Sequence, residues 1–179
     1  MTGWVNRGET PIYTSDWVSL ATADVLLPDG GQVDHHLVRM PGPAAATIVV
    51  RDGAVLMLYR HRFITDRWGW EIPAGRVDAG ERPIDTARRE TVEETGWDPA
   101  TITPLCEFDP APGILDQRFH VFVGTDPVQV GPPTDTNESS RIEWIGVEEL
   151  RRLLLSGQIP DGFTFGAIAY AFTAGALSH

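Results

Sequence analysis

The sequence predicts a mixed α/β domain, on three observations. Short strand-like runs bounded by turn residues recur along most of the chain, helical spacing appears in only three places, and no internal repeat, low-complexity tract or linker interrupts them. A length of 179 residues is about one domain, and 42% apolar residues can furnish one core.

The elements follow in order. Between Ser15 and Met40 the runs WVSLATADVLL and QVDHHLVRM flank Pro28-Asp29-Gly30-Gly31, which marks a hairpin. After the Pro41-Gly42-Pro43 break, AAATIVV and AVLMLYRHRF flank Arg51-Asp52-Gly53. Asp-Gly between two apolar runs is the strongest short-range hairpin signal, so a second hairpin is expected here. Three later strands are ITPLCEF, QRFHVFVG and RIEWIGV, and the helices are Pro83–Thr95, Val147–Leu155 and Thr164–Leu177. Residues 1–43 read as a β-rich arm, because Trp4, Tyr13 and Trp17 are more aromatic surface than a short hairpin buries alone. That arm is a dimer contact, a wall of a ligand site, or a hairpin on its own small core. Residues 44–179 form the main domain.

Composition excludes several classes. With 25 acidic against 14 basic residues the formal charge is −11, which rules out a phosphate-tracking nucleic-acid surface but not a phosphate ligand bridged by divalent cations. A lone cysteine, Cys106, excludes an internal disulfide and a thiolate metal cluster, and fits a reducing cytoplasm. The start, MTGWVNRGET, has no signal-peptide apolar core, and the run Phe165–Leu177 is too short to span a bilayer. No membrane or nucleic-acid partner is expected. His35 and His36 point to opposite faces of a strand and cannot chelate one ion together.

The most informative stretch is GRVDAGERPIDTARRETVEETGW. Pro83 suits a first helical turn and Gly96 the left-handed residue just past the end. Glu90, Glu93 and Glu94 then share one face at i, i+3 and i+4, while Ile84, Ala87 and Thr91 form another stripe that can face a sheet. Like charges at this spacing cost roughly 0.2–0.5 kcal/mol per pair. Arg89 can hold one acid, and hard oxygen-seeking cations such as Mg²⁺ or Mn²⁺ are the natural remainder. The other reading is a solvated acidic face. Gly75 and Gly80 bracket the preceding loop, and the strand end Glu71-Ile72-Pro73-Ala74 leaves the Ala74 carbonyl able to reach a metal.

Gly75, Glu81, Arg89, Glu90, Glu93, Glu94 and Gly96 fall on the fixed positions of the Nudix box, which the chain therefore resembles. Two aliphatic slots depart, Thr91 and the closing Trp97. The resemblance implies a Nudix-type α/β/α sandwich with a mixed sheet, and Mg²⁺- or Mn²⁺-dependent attack of water on a nucleoside diphosphate derivative. By position Glu90 and Glu94 are the principal metal ligands, Glu93 a ligand or a partner to one, Arg89 an orienter, and Glu81 a brace for loop and helix. The stretches Tyr59–Phe63, Trp70–Gly75 and Pro110–Gly113 resemble the ADP-ribose pyrophosphatase branch, in which a proline lies sixteen residues beyond the closing glycine, as Pro112 does here. The same likeness nominates Glu138 as the base that activates water and Arg62, in preference to Arg60, as a phosphate contact. It places adenine recognition partly on the amino-terminal segment, where Tyr13 and Trp17 can stack a base, as can Trp68. It also implies a homodimer. The expected activity is conversion of ADP-ribose to AMP and ribose 5-phosphate. The alternatives are another nucleotide, such as an oxidised nucleoside triphosphate or a dinucleotide, and a non-catalytic ADP-ribose sensor.

Overall fold

A computed structural model describes residues 3–134 and 139–177. It divides into two compact units, Met1–Pro43 with Asp109–Arg118, and Ala44–Phe108 with Phe119–His179.

The first unit is a three-stranded antiparallel sheet in the order β1 (Val5–Thr14), β2 (Ser19–Leu26), β3 (Gln32–Arg39). The β2–β3 hairpin turns where the sequence predicts, with Gly30 at φ 88° and the Gly31 amide donating to Asp29 Oδ1 at 2.9 Å. β1 is an element the sequence reading lacks. It carries Arg7, Gly8, Glu9 and Pro11 and is exposed on both faces, so no alternation of apolar residues betrays it. The segment 109–118 is tied to β3 by Val38 N–H to Ile114 O at 2.7 Å and by Met40 N–H to Asp116 Oδ1 at 2.9 Å.

The second unit is built on a sheet in the order β10 (Arg141–Gly146), β5 (Ala54–Arg62), β4 (Ala44–Arg51), β9 (Phe119–Gln129), β8 (Trp97–Phe108). Two short strands join it, β6 (Arg67–Glu71) beside β5 and β7 (Ala74–Arg76) beside β4. β4 and β9 run parallel while the other pairs of the described residues are antiparallel, which makes the sheet mixed as expected. The β4–β5 turn holds Asp52 at φ 50° and Gly53 at φ 72°, the two left-handed residues that a tight Asp-Gly hairpin requires.

Alternation along β4 separates the two faces. Ala44, Ala46 and Ile48 enter a large core with Met57, Ile72, and residues of α2 (Val147–Leu155) and α3 (Gly162–Thr173), whereas Ala45 enters a small cluster with Ala87 of α1 (Pro83–Thr95). The layers are therefore helix, sheet, helices. Asp161 caps α3 by accepting from the Thr164 amide at 2.7 Å. The helix ends at Thr173, short of Leu177 as the apolar run suggested, because Gly175 turns left-handed at φ 73° and the Ala176 amide folds back to Ala171 O. Among the described residues no helix is long and apolar enough to cross a membrane.

α1 has the bounds its sequence marks, with Pro83 in the first turn and Gly96 at φ 75° as the cap, its amide donating to Val92 O at 2.8 Å. A Cβ on Gly96 would stand 2.1 Å from Gly131 O. Gly96→Ala is therefore expected to lower unfolding free energy by at least about 2 kcal/mol, combining left-handed strain with a backbone collision. Urea denaturation followed by far-UV circular dichroism measures it.

Candidate active site

The acidic face of α1 meets two arginines that approach from different elements. Arg89 lies on the helix itself. Its Nη1 donates to Glu90 Oε1 at 2.7 Å and to Glu93 Oε2 at 3.1 Å, and its Nε and Nη2 fork onto Glu81 at 3.1 Å each. Arg60 comes from β5 in the sheet. Its Nη2 donates to Glu94 Oε1 at 2.7 Å, while the other Glu94 oxygen accepts the Ala74 amide at 3.0 Å. Glu71, at the end of β6, lies 3.7 Å from Arg60 Nε and is forked by Arg62 at 3.0 and 2.6 Å.

The three box glutamates on α1 differ in depth. Glu93 is the most exposed, Glu90 is half-buried against Gly75, and Glu94 is buried at 4% exposure. A Cβ on Gly75 would stand 2.1 Å from the Glu90 carboxyl carbon, so only glycine admits that side chain. Arg60 and Glu71, each at 3%, are as deep as Glu94. Burial pushes the Glu94 carboxyl up to about 7, against the opposing pull of Arg60 and the Ala74 amide. The Arg89 guanidinium, then the Thr86 hydroxyl at 2.6 Å, hold Glu81 down to about 2.

Thr91 explains its own departure from the box. Fully buried on the sheet side, it sends its hydroxyl to Ala87 O at 2.7 Å, so the polar atom is satisfied within the helix and the branched side chain packs as an aliphatic one would. Close by, Thr47 of β4 donates to the same carbonyl at 3.0 Å and ties the helix to the sheet.

The second unit thus gathers Arg60, Arg62, Glu71, Ala74, Glu81, Arg89, Glu90, Glu93 and Glu94. Tyr13 and Trp17 belong to the first unit, where they are 57% and 74% exposed. Pro112 lines a cavity of about 350 Å³ within that unit, beside His35, Arg39 and Asp116. Glu138 lies outside the described residues. Trp68 is on the wrong face to stack a base near Glu94. It stacks on Tyr59 at 5.4 Å, and residues 59, 61, 68 and 70 share one side of the sheet while Arg60 and Glu71 share the other. The sequence reading missed Glu71 and gave Arg60 no carboxylate partner. The available signal was an arginine on the same strand face as Leu56 and Leu58, where a charge demands a buried counter-charge.

Each glutamate is turned to a guanidinium, and among the described residues no three acidic, histidine or cysteine side chains converge on one point. The donor set nevertheless suits a hard divalent cation: carboxylate oxygens on one helix face, with the Ala74 backbone alongside.

Comparison with known proteins gives the family and the fold. The NUDIX domain family model matches residues 40–163. A CMP-5'-(N-acetyl-N-hydroxy-3-aminopropyl)phosphonate hydrolase of Streptomyces rubellomurinus is 41% identical over 97% of this chain and 84% of its own length. An ADP-ribose pyrophosphatase of Bacillus subtilis is 32% identical over 89% of this chain and 87% of its own. A crystal structure of an ADP compounds hydrolase superposes with a TM-score of 0.85 at 16% identity, covering 99% of this chain and 98% of that one, and so shares the fold.

Two pH effects follow, of opposite sign. Glu81 titrates lower folded than unfolded, so its contribution is present above about 4.5 and fades as pH falls toward 2. Glu81→Gln should lose about 1 kcal/mol of stability at pH 7 and progressively less below pH 4.5, read from urea midpoints. Glu94 titrates higher folded than unfolded, so its contribution to stability is largest at acid pH and lost as pH rises through about 7. A cation needs the ionised form; its affinity, measured by calorimetry, should therefore fall, with proton release rising, as pH drops from about 8 to about 6.

Proposed function

The chain belongs to the NUDIX domain family, and from that premise we propose that it hydrolyses the pyrophosphate bond of ADP-ribose, or of a similar nucleoside diphosphate sugar, to AMP and ribose 5-phosphate. It is a Nudix pyrophosphohydrolase. The observation that carries the reading is the set of box carboxylates on one face of α1, graded from exposed Glu93 to buried Glu94.

Glu90, Glu93 and Glu94, with the Ala74 carbonyl, would hold Mg²⁺ or Mn²⁺, which when bound neutralises diphosphate charge and acidifies a water. The chain's own groups do the rest. Glu81 and Arg89 lock the loop to the helix and fix where the carboxylates stand. Arg62, about half exposed at the rim, offers its guanidinium to a phosphate. Glu138 takes the proton of the attacking water, a P–O bond of the bridge breaks, and the two phosphate monoesters depart. The exposed rings of Tyr13 and Trp17 suit a base, and their exposure together with Trp4 supports the residue 1–43 arm as the contact of a homodimer. The lone Cys106 supports a cytoplasmic setting.

A second reading rests on the relative that is 41% identical, whose name gives a CMP phosphonate as its substrate. There the nucleotide half is CMP in place of AMP and the group joined to it is a phosphonate in place of a sugar phosphate.

Glu94→Gln should reduce Mg²⁺-dependent AMP release from ADP-ribose by at least about a hundredfold while far-UV circular dichroism still shows the folded domain, with an unfolding midpoint lowered because Arg60 loses a buried partner. Undiminished release in that variant removes the mechanism. A panel of ADP-ribose, nucleotide sugars, dinucleotides, oxidised nucleoside triphosphates and a CMP phosphonate, with products separated by chromatography, decides between the readings. Turnover of the phosphonate alone selects the second.

A further inference from the structure

We propose that Arg60 is a built-in counter-cation that a divalent metal ion displaces from Glu94, and that Glu71 is the positioning residue that receives it. The inference rests on the hydrolase reading above and concerns how its carboxylate site is kept ready. Arg60 Nη2 is 2.7 Å from Glu94 and Arg60 Nε is 3.7 Å from Glu71, so one guanidinium stands between two carboxylates, closed on one and open toward the other. All three side chains are within a few per cent of complete burial. In such surroundings a charge without an opposite partner is strongly unfavourable, so the ionised Glu94 carboxylate needs a cation beside it at every stage.

Among the described residues, Arg60 and Arg62 face the carboxylates of Glu71 and Glu94. Adding two positive charges at Glu94 leaves Arg60 facing a cation where it had faced an anion, and that repulsion drives the guanidinium off. Glu71 is within a short side-chain movement, and its two oxygens are already oriented by the Arg62 fork. Transfer from Glu94 to Glu71 keeps Arg60 paired and leaves the Glu94 oxygen, which had accepted from Arg60, for the metal. In Coulombic terms Arg60 and the metal ion are negatively coupled through Glu94, and Glu71 relieves the coupling.

A merely structural role for these residues makes both substitutions weaken the cation site. The exchange makes them act oppositely. At pH 8 and without nucleotide, Arg60→Gln should bind Mn²⁺ about tenfold tighter than wild type, since the competitor is gone. Glu71→Gln should bind it about tenfold weaker, since the displaced arginine has lost its second seat. In the double variant the Glu71 effect should vanish, and Arg60→Lys should restore competition. Equal weakening by both single variants overturns the proposal. Should Arg60→Gln fail to fold, a crystal structure of the wild-type protein with Mn²⁺ decides: Arg60 is expected on Glu71 and beyond hydrogen-bond distance of Glu94. Mn²⁺ on the box glutamates with Arg60 still on Glu94 overturns the exchange alone. A structure and calorimetry both showing no Mn²⁺ at Glu94 overturn the metal-dependent reading as well.

Discussion

Everything at this site depends on balancing acid charge crowded on one side of a thirteen-residue helix. Exposed ion pairs are worth about 1 kcal/mol or less, and Arg89 with Glu93 is of that kind. The decisive pair is deeper. Arg60 and Glu94 are both removed from water, and breaking such a pair by deleting one member costs about 3–5 kcal/mol because the survivor keeps its charge without solvent. The helix can therefore present acids to a ligand only because the sheet beneath supplies an arginine at the right height.

That height is set by small residues. Ala45 on β4 and Ala87 on α1 meet in the small core cluster, Gly75 leaves room for Glu90, and Thr47 reaches the Ala87 carbonyl. Larger side chains at these positions would lift the helix from the sheet and carry Glu94 away from Arg60. The strand β7 contributes in the same sense, since its first amide closes on the second Glu94 oxygen. Close approach, buried pairing and the orientation of the carboxylates are thus one constraint seen from three sides.

Local chemistry made much of this readable in advance. Asp52-Gly53 dictates its turn, Pro83 and Gly96 delimit α1, and the spacing of Glu90, Glu93 and Glu94 puts them on one face whatever the rest of the chain does. What was not readable needs register. Glu71 meets Arg60 and Arg62 only after the β5–β6 turn fixes Arg62 opposite Arg67 and Leu58 opposite Glu71. One residue of slip would send Glu71 to the face that carries Trp68 and Trp70. β1 was hidden because both its faces are wet, and the adoption of residues 109–118 by the first unit is a long-range contact with no local signature.

The same logic bounds what the acidic face can select. A set of carboxylates that gathers cations reads charge and the geometry of a phosphorus bridge; it has no means of telling adenine from cytosine or a sugar from an alkyl chain. The reacting end of a substrate and its recognised end must therefore be handled by different residues. In the proposed reaction the first task falls to the carboxylates of α1, the cation they would hold and Glu138. The second calls for rings and hydrogen-bonding edges that the carboxylate face lacks, so changes in substrate within such a fold can leave Glu90, Glu93, Glu94 and Arg60 untouched while the aromatic and loop residues elsewhere in the chain vary.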